Sequence, residues 1–183
     1  MTRAVAGDRM PGAVKQIVRM RGQPGAEFPQ HRQQQSEAVG GSGEVVYMRG
    51  AAGATADDDR HAGWQRALAE NPGINVVLEV HTGWDQTTGS QQINEFLATG
   101  QSFDGVWTSG IDNVIVEALQ QANQLVPVVG ADNAGFVEQL LTIEGLEGAA
   151  VTNPASVGGA GVTLALDILN GEEPDSNEVL VDP

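Results

Sequence analysis

The chain has 183 residues, no cysteine and a formal charge of −15, so no disulfide framework or cysteine-ligated metal holds it together, yet it is long enough to build a core unaided. The charge is uneven: residues 1–43 carry six Arg/Lys against three Asp/Glu, whereas residues 44–183 carry three Arg against twenty-one Asp/Glu. A main body this anionic repels phosphate backbones and anionic lipid, which argues against nucleic-acid or membrane-surface binding, and no run of 18 apolar residues supplies a transmembrane helix.

Residues 1–36 are rich in Arg, Gln, Pro and Gly, with only Val14, Ile17 and Val18 at helical spacing. They cannot bury enough surface to offset the entropy of ordering, so the composition predicts a disordered leader. No signal-peptide apolar region is visible, because Arg, Asp, Pro and Gly interrupt it between Thr2 and Gly12.

From Gly43 short apolar runs alternate with amphipathic stretches, separated by Gly, Asn, Asp or Pro. The runs Glu44–Met48, Ile74–Val80, Phe103–Thr108, Leu125–Val129 and Gly148–Thr152 read as five strands. Between them Trp64, Ala67 and Leu68, then Ile93, Phe96 and Leu97, then Ile115, Ala118, Leu119 and Ala122 keep the spacing of one buried helix face. Ser156–Asn170 predicts a further helix with Val157, Gly161, Leu164, Ala165 and Ile168 on one stripe, ending at Asn170-Gly171, and Glu178–Val181 predicts a last strand. Strands separated by helices must run parallel, so the expected fold is α/β, a doubly wound parallel sheet in a three-layer sandwich.

In such a sheet ligands bind beyond the carboxyl ends of the strands. That rule selects Arg49 to Gly53 and Arg60 after the first strand, His81 to Asp85 after the second, Ser109 to Asp112 after the third, Gly130 to Asn133 after the fourth, and Asn153 after the fifth. Carboxylate, amide, guanidinium and one indole, Trp84, together match a sugar, whose ring offers an apolar face and whose hydroxyls both donate and accept. Each candidate also has a purely structural alternative. Arg60 could pair with Asp57, Asp58 or Asp59, themselves explained as first-turn helix charges. Trp84 could staple a helix that Asp85 caps, and Asp112 and Asp132 could be caps. Trp64 and Trp107 are expected in the core.

His31, His61 and His81 lack zinc spacing, and neither a nucleophile elbow nor a phosphate-cradling loop with Lys occurs, so no metal, no cofactor and no enzymatic activity are expected.

The segments GEVVYMRGAAGATADDDRHAGW, GWDQ, DGVWTSGIDN, VVGADNAGF and LNGEEP, in this order between about Ala38 and Val181, resemble the C-terminal part of ribose-type periplasmic binding proteins of ABC sugar transporters. The resemblance implies a sugar-binding C-terminal lobe over residues 37–155 and a crossover helix and strand over 156–183, which would pack on an N-terminal lobe largely missing from this chain. It places Arg60, Trp84, Asp132 and Asn153 at sugar-contacting positions, with Ala51 and Gly110 or Asp112 at further pocket positions. Ala131 stands where ribose binders carry an aromatic, and Ser109-Gly110-Ile111 differs from their amide-bearing turn, so ribose itself is not the expected ligand.

The implied function is that of a monomeric solute-binding component of a sugar uptake system. It would bind a monosaccharide or polyol between two lobes and deliver it to a membrane permease, in a periplasmic or extracellular membrane-associated location. The same lobe also serves as the effector-binding part of lactose-repressor-like regulators, an alternative that needs a helix-turn-helix not found in residues 1–43.

Overall fold

Each of the five apolar runs from Glu44 to Thr152 contributes a strand to one parallel sheet in the computed structural model, which describes residues 15–18, 41–151 and 156–172. In chain order the elements are β1 (Lys15–Val18), β2 (Ser42–Arg49), α1 (Thr55–Glu70), β3 (Gly73–His81), α2 (Gln86–Ala98), β4 (Gly105–Thr108), α3 (Asp112–Gln121), β5 (Val128–Ala131), α4 (Ala134–Thr142), β6 (Gly148–Val151) and α5 (Ser156–Leu169).

The sheet order is β1-β6-β5-β4-β2-β3, with all neighbours parallel. From β2 the chain first winds outward to β3 and then crosses back to β4. The strand order therefore reverses between β2 and β4, where a crevice opens above the carboxyl ends of an open α/β sheet.

Alternation along the strands divides the core between the two faces. Val46, Met48, Val106, Val128 and Ala150 face Ile93 and Phe96 of α2, Ile115, Val116 and Leu119 of α3, and Phe136 and Leu140 of α4. On the other face Val45, Tyr47, Trp107, Val129 and Ala149 meet Trp64 of α1. There Trp64 and Trp107 stack at 5.3 Å, and Tyr47 tilts against Trp107 at 4.3 Å. Fully burying each large apolar side chain contributes roughly 1.5–3 kcal/mol, so this helix-sheet-helix layering is what fixes the strand ends in space. Both core tryptophans lie where the helical stripe and strand pattern expected them.

Four details depart from the sequence reading. Lys15–Val18, expected within a disordered leader, forms a strand alongside β6, whose outer edge would otherwise leave backbone groups unpaired. The fourth strand begins at Val128 rather than Leu125, because Pro127 has no N–H to give the ladder; its carbonyl instead accepts from Val106 N. Ala122 is exposed and Val116 takes the buried position on α3. Helix α4, undelimited by sequence, is capped by Asn133, whose side chain accepts from Phe136 N. The expected strand Glu178–Val181 lies outside the described residues. Helix α5 buries none of its residues, and Val157, Val162, Leu166, Ile168 and Leu169 are exposed.

Candidate functional site

The loops after β2, β3, β4 and β5 meet above the strand-order reversal, and three of their side chains make one contact group. Arg60, on the second turn of α1, donates from Nη1 to Ser109 Oγ at 3.0 Å and places its guanidinium 5.9 Å above the centre of the Trp84 ring. The Trp84 Nε1–H is directed at the same Ser109 Oγ at 3.4 Å. Trp84 is 37% exposed and Ser109 only 5%, so a wet aromatic edge sits over an almost buried hydroxyl.

The backbone is arranged to present that indole. Trp84 has φ 57°, an uncommon conformation for a bulky side chain that persists only when surrounding contacts enforce it. The enforcement comes from Thr82, 2% exposed, whose hydroxyl donates to Arg49 O at 2.7 Å and accepts from Trp84 N at 3.2 Å. Thr82 N and Gly83 N also bond Arg49 O and Gly50 O, which continues the β2–β3 ladder into the loop. Gly50 completes the seat: a Cβ there would run into the Trp84 ring, so only glycine lets the indole lie against the β2–α1 turn.

That turn is held by a buried ion pair. Asp57, 1% exposed, accepts from Arg49 Nη2 at 2.7 Å and Nε at 3.1 Å, while its second oxygen accepts Gly50 N at 2.6 Å. Arg49 also reaches Glu79 on β3 at 3.1 Å. The macrodipole reading of the Asp57 to Asp59 run is thus incomplete, since its first carboxylate anchors the site's floor. Arg60 turns toward Ser109 and Trp84, and no ion pair ties it to those aspartates among the described residues.

On the β5 side, Asp112, one of the candidate ligand-binding residues, is a buried brace. It has no exposed surface; Oδ1 accepts Ala131 N at 3.0 Å and Oδ2 accepts Asn133 Nδ2 at 2.6 Å. Burial pushes its carboxyl up to about 6, against the lowering effect of those N–H donors. Gly130 is required beneath it, because a Cβ there would collide with the carboxylate. The residues that Asp112 grips flank Asp132. Asp132 is half-buried and has no hydrogen bond or ion pair among the described residues; the cap that was its structural alternative is supplied by its neighbour Asn133.

Trp84 is likewise free of its structural alternative. Asp85 does cap α2, accepting Thr88 N at 2.7 Å, which holds its carboxyl below the usual range. The staple position that would receive Trp84 is Gly89, which has no side chain to meet it. Arg60 and Trp84 are therefore brought into contact, and Asp132 is fixed at the adjoining strand end. Asn153 lies outside the described residues.

Gly50, Thr82 and Ser109 were selected only as members of the loops after the strands and Asp57 only as a helix-start charge; their supporting roles were not read from the sequence. A Thr two residues before an aromatic in a Gly-rich turn was the one available signal. No group of three or more metal-binding side chains assembles among the described residues.

A doubly wound lobe with guanidinium, indole, hydroxyl and carboxylate at its switch point has the layout of one wall of a small-molecule cleft. The periplasmic binding protein domain family matches residues 30–173, and the chain belongs to that family, whose members are solute-binding proteins. It is similar to the xylitol-binding protein of Mycolicibacterium smegmatis, 26% identical over 160 residues, 84% of this chain and 45% of the relative. It is also similar to the ribose import binding protein RbsB of Salmonella typhimurium, 26% identical over 141 residues, 75% and 47% of the two chains. Among solved structures, the periplasmic binding component of the arabinose ABC transporter from Shewanella, bound to α- and β-L-arabinofuranose, shares the fold. Its TM-score is 0.72 at 20% identity, over 86% of this chain and 56% of that one. The chain spans about half the length of the curated relatives it matches.

Proposed function

We propose that the protein is the solute-binding component of an ABC-type sugar uptake system, and that this chain supplies one wall of a cleft for a monosaccharide or polyol. The observation that carries the reading is the contact group of Arg60, Trp84 and Ser109, with a carboxylate, Asp132, at the end of the adjoining strand β5 that has no protein partner among the described residues. A half-buried acceptor without a donor is matched by ligand hydroxyls, and the amphipathic indole suits a polyhydroxy carbon chain or ring. Relatives named for xylitol and ribose support the ligand class. Recognition is passive: the ligand is bound, enclosed and handed to a membrane permease on the outer side of the cytoplasmic membrane, without a bond made or broken.

The exposed apolar residues of α5 support a second part of the reading, in which residues 156–183 pack on a further lobe that forms the opposite wall. A single wall lacks closure, so affinity in this chain is weak, with dissociation constants on the order of 1 mM.

Titration of the labelled chain with xylitol and with D-ribose, followed by amide shifts, tests the site. Binding that Trp84→Ala and Asp132→Ala each weaken by about tenfold or more supports it, the loss expected when a ligand contact of ~1.5 kcal/mol is removed. Unchanged affinity in both variants, or no binding by the unaltered chain, refutes it.

A further inference from the structure

Ser109 occupies an unusual position in donor and acceptor terms. A guanidinium and an indole N–H donate only, so Ser109 Oγ must act as acceptor for both Arg60 Nη1 and Trp84 Nε1. Those two bonds use both lone pairs of the hydroxyl oxygen. Its own proton is then left over, and no acceptor for it is found among the described residues. The residue is 5% exposed and follows β4 directly, at the reversal of strand order above which the crevice opens. An almost buried hydroxyl with one unspent donor calls for an acceptor oxygen from outside the lobe.

We infer that Ser109 is a specificity-determining residue of the site: it holds Arg60 and Trp84 in place with its lone pairs and donates its proton to an oxygen of the bound ligand. This rests on the proposed sugar or polyol reading. The arrangement gives the wall a polarity. The β4 side, with the remaining Arg60 N–H groups and the Ser109 O–H, offers donors, whereas the β5 side offers the Asp132 carboxylate as acceptor. Neighbouring hydroxyls on one carbon chain satisfy both sides at once, because each hydroxyl can accept on one side and donate on the other. A group that can only donate is rejected at the Ser109 end.

Two measurements on the 183-residue chain test the inference. The first needs no ligand. Trp64 and Trp107 are 5% exposed, so acrylamide quenching of indole emission reports chiefly on Trp84. Ser109→Ala should raise the quenching slope by about half or more as the indole loses its anchor, and Ser109→Thr, which keeps the oxygen, should leave it near the original value; an unchanged slope in Ser109→Ala overturns the anchoring role. The second is affinity for xylitol and for D-ribose. Ser109→Ala should weaken binding about tenfold or more with a melting temperature within about 2 °C of the unaltered chain, and Ser109→Thr should restore affinity to within about threefold, as expected when a hydrogen bond to the ligand is removed and returned. Affinity within twofold in Ser109→Ala overturns the inference while leaving the sugar site standing. A matched loss of affinity and melting temperature in both variants also overturns it, marking a merely structural role. Failure of the unaltered chain to bind either probe removes the underlying site and this inference with it.

Discussion

Asp112 and Asn133 lie 21 residues apart in sequence, yet Asn133 Nδ2 donates to Asp112 Oδ2 at 2.6 Å, a bond that ties the start of α3 to the start of α4. Asp112 Oδ1 also accepts Ala131 N at 3.0 Å, so the two carboxylate oxygens hold the residues on either side of Asp132. One buried carboxylate thereby braces the backbone on both sides of Asp132.

Asp112 makes stability depend on pH in a direction opposite to an ordinary ion-paired carboxylate. Its pKa lies at about 6 in the fold against an ordinary 3.8, so the folded state holds the proton more tightly than the unfolded state. Its stabilising contribution is complete below about pH 4 and is lost as pH rises through about 6, a change on the order of 3 kcal/mol. Urea midpoints of the unaltered protein and Asp112→Asn, compared at pH 4 and 7.5, should show the variant at its greatest relative disadvantage in acid. A stability gap independent of pH would contradict this.

Removing the Asp57 side chain should be among the most costly single changes in α1. Asp57→Ala strips Arg49 of its closest partner while the guanidinium remains largely buried, with Glu79, the distant Asp58 and the face of the Tyr47 ring left to it among the described residues. The expected loss is ~3–5 kcal/mol, read from chemical denaturation. Asp58→Ala, at an exposed carboxylate 3.9 Å from Arg49, serves as the control and should change stability by less than about 0.5 kcal/mol.

Gly50→Ala should act on Trp84 directly, because the added Cβ would meet the indole, its Nε1 included. The added methyl occupies space held by the indole, which must shift or rotate. Overpacking of this kind costs roughly 1–3 kcal/mol, and here the strain is relieved outward, toward solvent. A red-shifted Trp emission and weaker ligand binding are expected together; unchanged emission would show that the indole does not rest on the turn.

Asn133→Ala should separate the brace from the cap. It deletes the bond to Asp112 and the acceptor for Phe136 N at the start of α4. A loss of about 1–3 kcal/mol is expected. Asn133→Asp keeps the cap but sets a second carboxylate against Asp112, so in thermal melts it should recover stability only in acid, where Asp112 is protonated.

The architecture was legible because hydrophobic periodicity is a local property. Val45 and Tyr47 alternate with Val46 and Met48, and Trp64 repeats on a helical stripe, so five strands, most of the helices and the parallel sheet follow from near neighbours in the chain, whereas β1 and α4 did not. Arg60, Trp84 and Asp132 were legible as candidates for a related reason, since a strand's carboxyl end marks the crevice whichever side chain stands there.

Which of those candidates is buried and partnered, and which is left open, was decided only by tertiary contacts. Asp112 and Asp132 follow neighbouring strands and look alike in sequence, yet packing buries the first against Ala131 N and the Asn133 side chain and leaves the second half-buried, without a protein partner among the described residues. Asp57 looked like a helix-start charge until β2 brought Arg49 against it, and Ser109 became a hub only because α1 and the β3–α2 turn converge on one oxygen. Periodicity records which face of an element is apolar. The pairing of single polar atoms depends on distances between elements far apart in the chain, and these exist only once the sheet has closed its two faces.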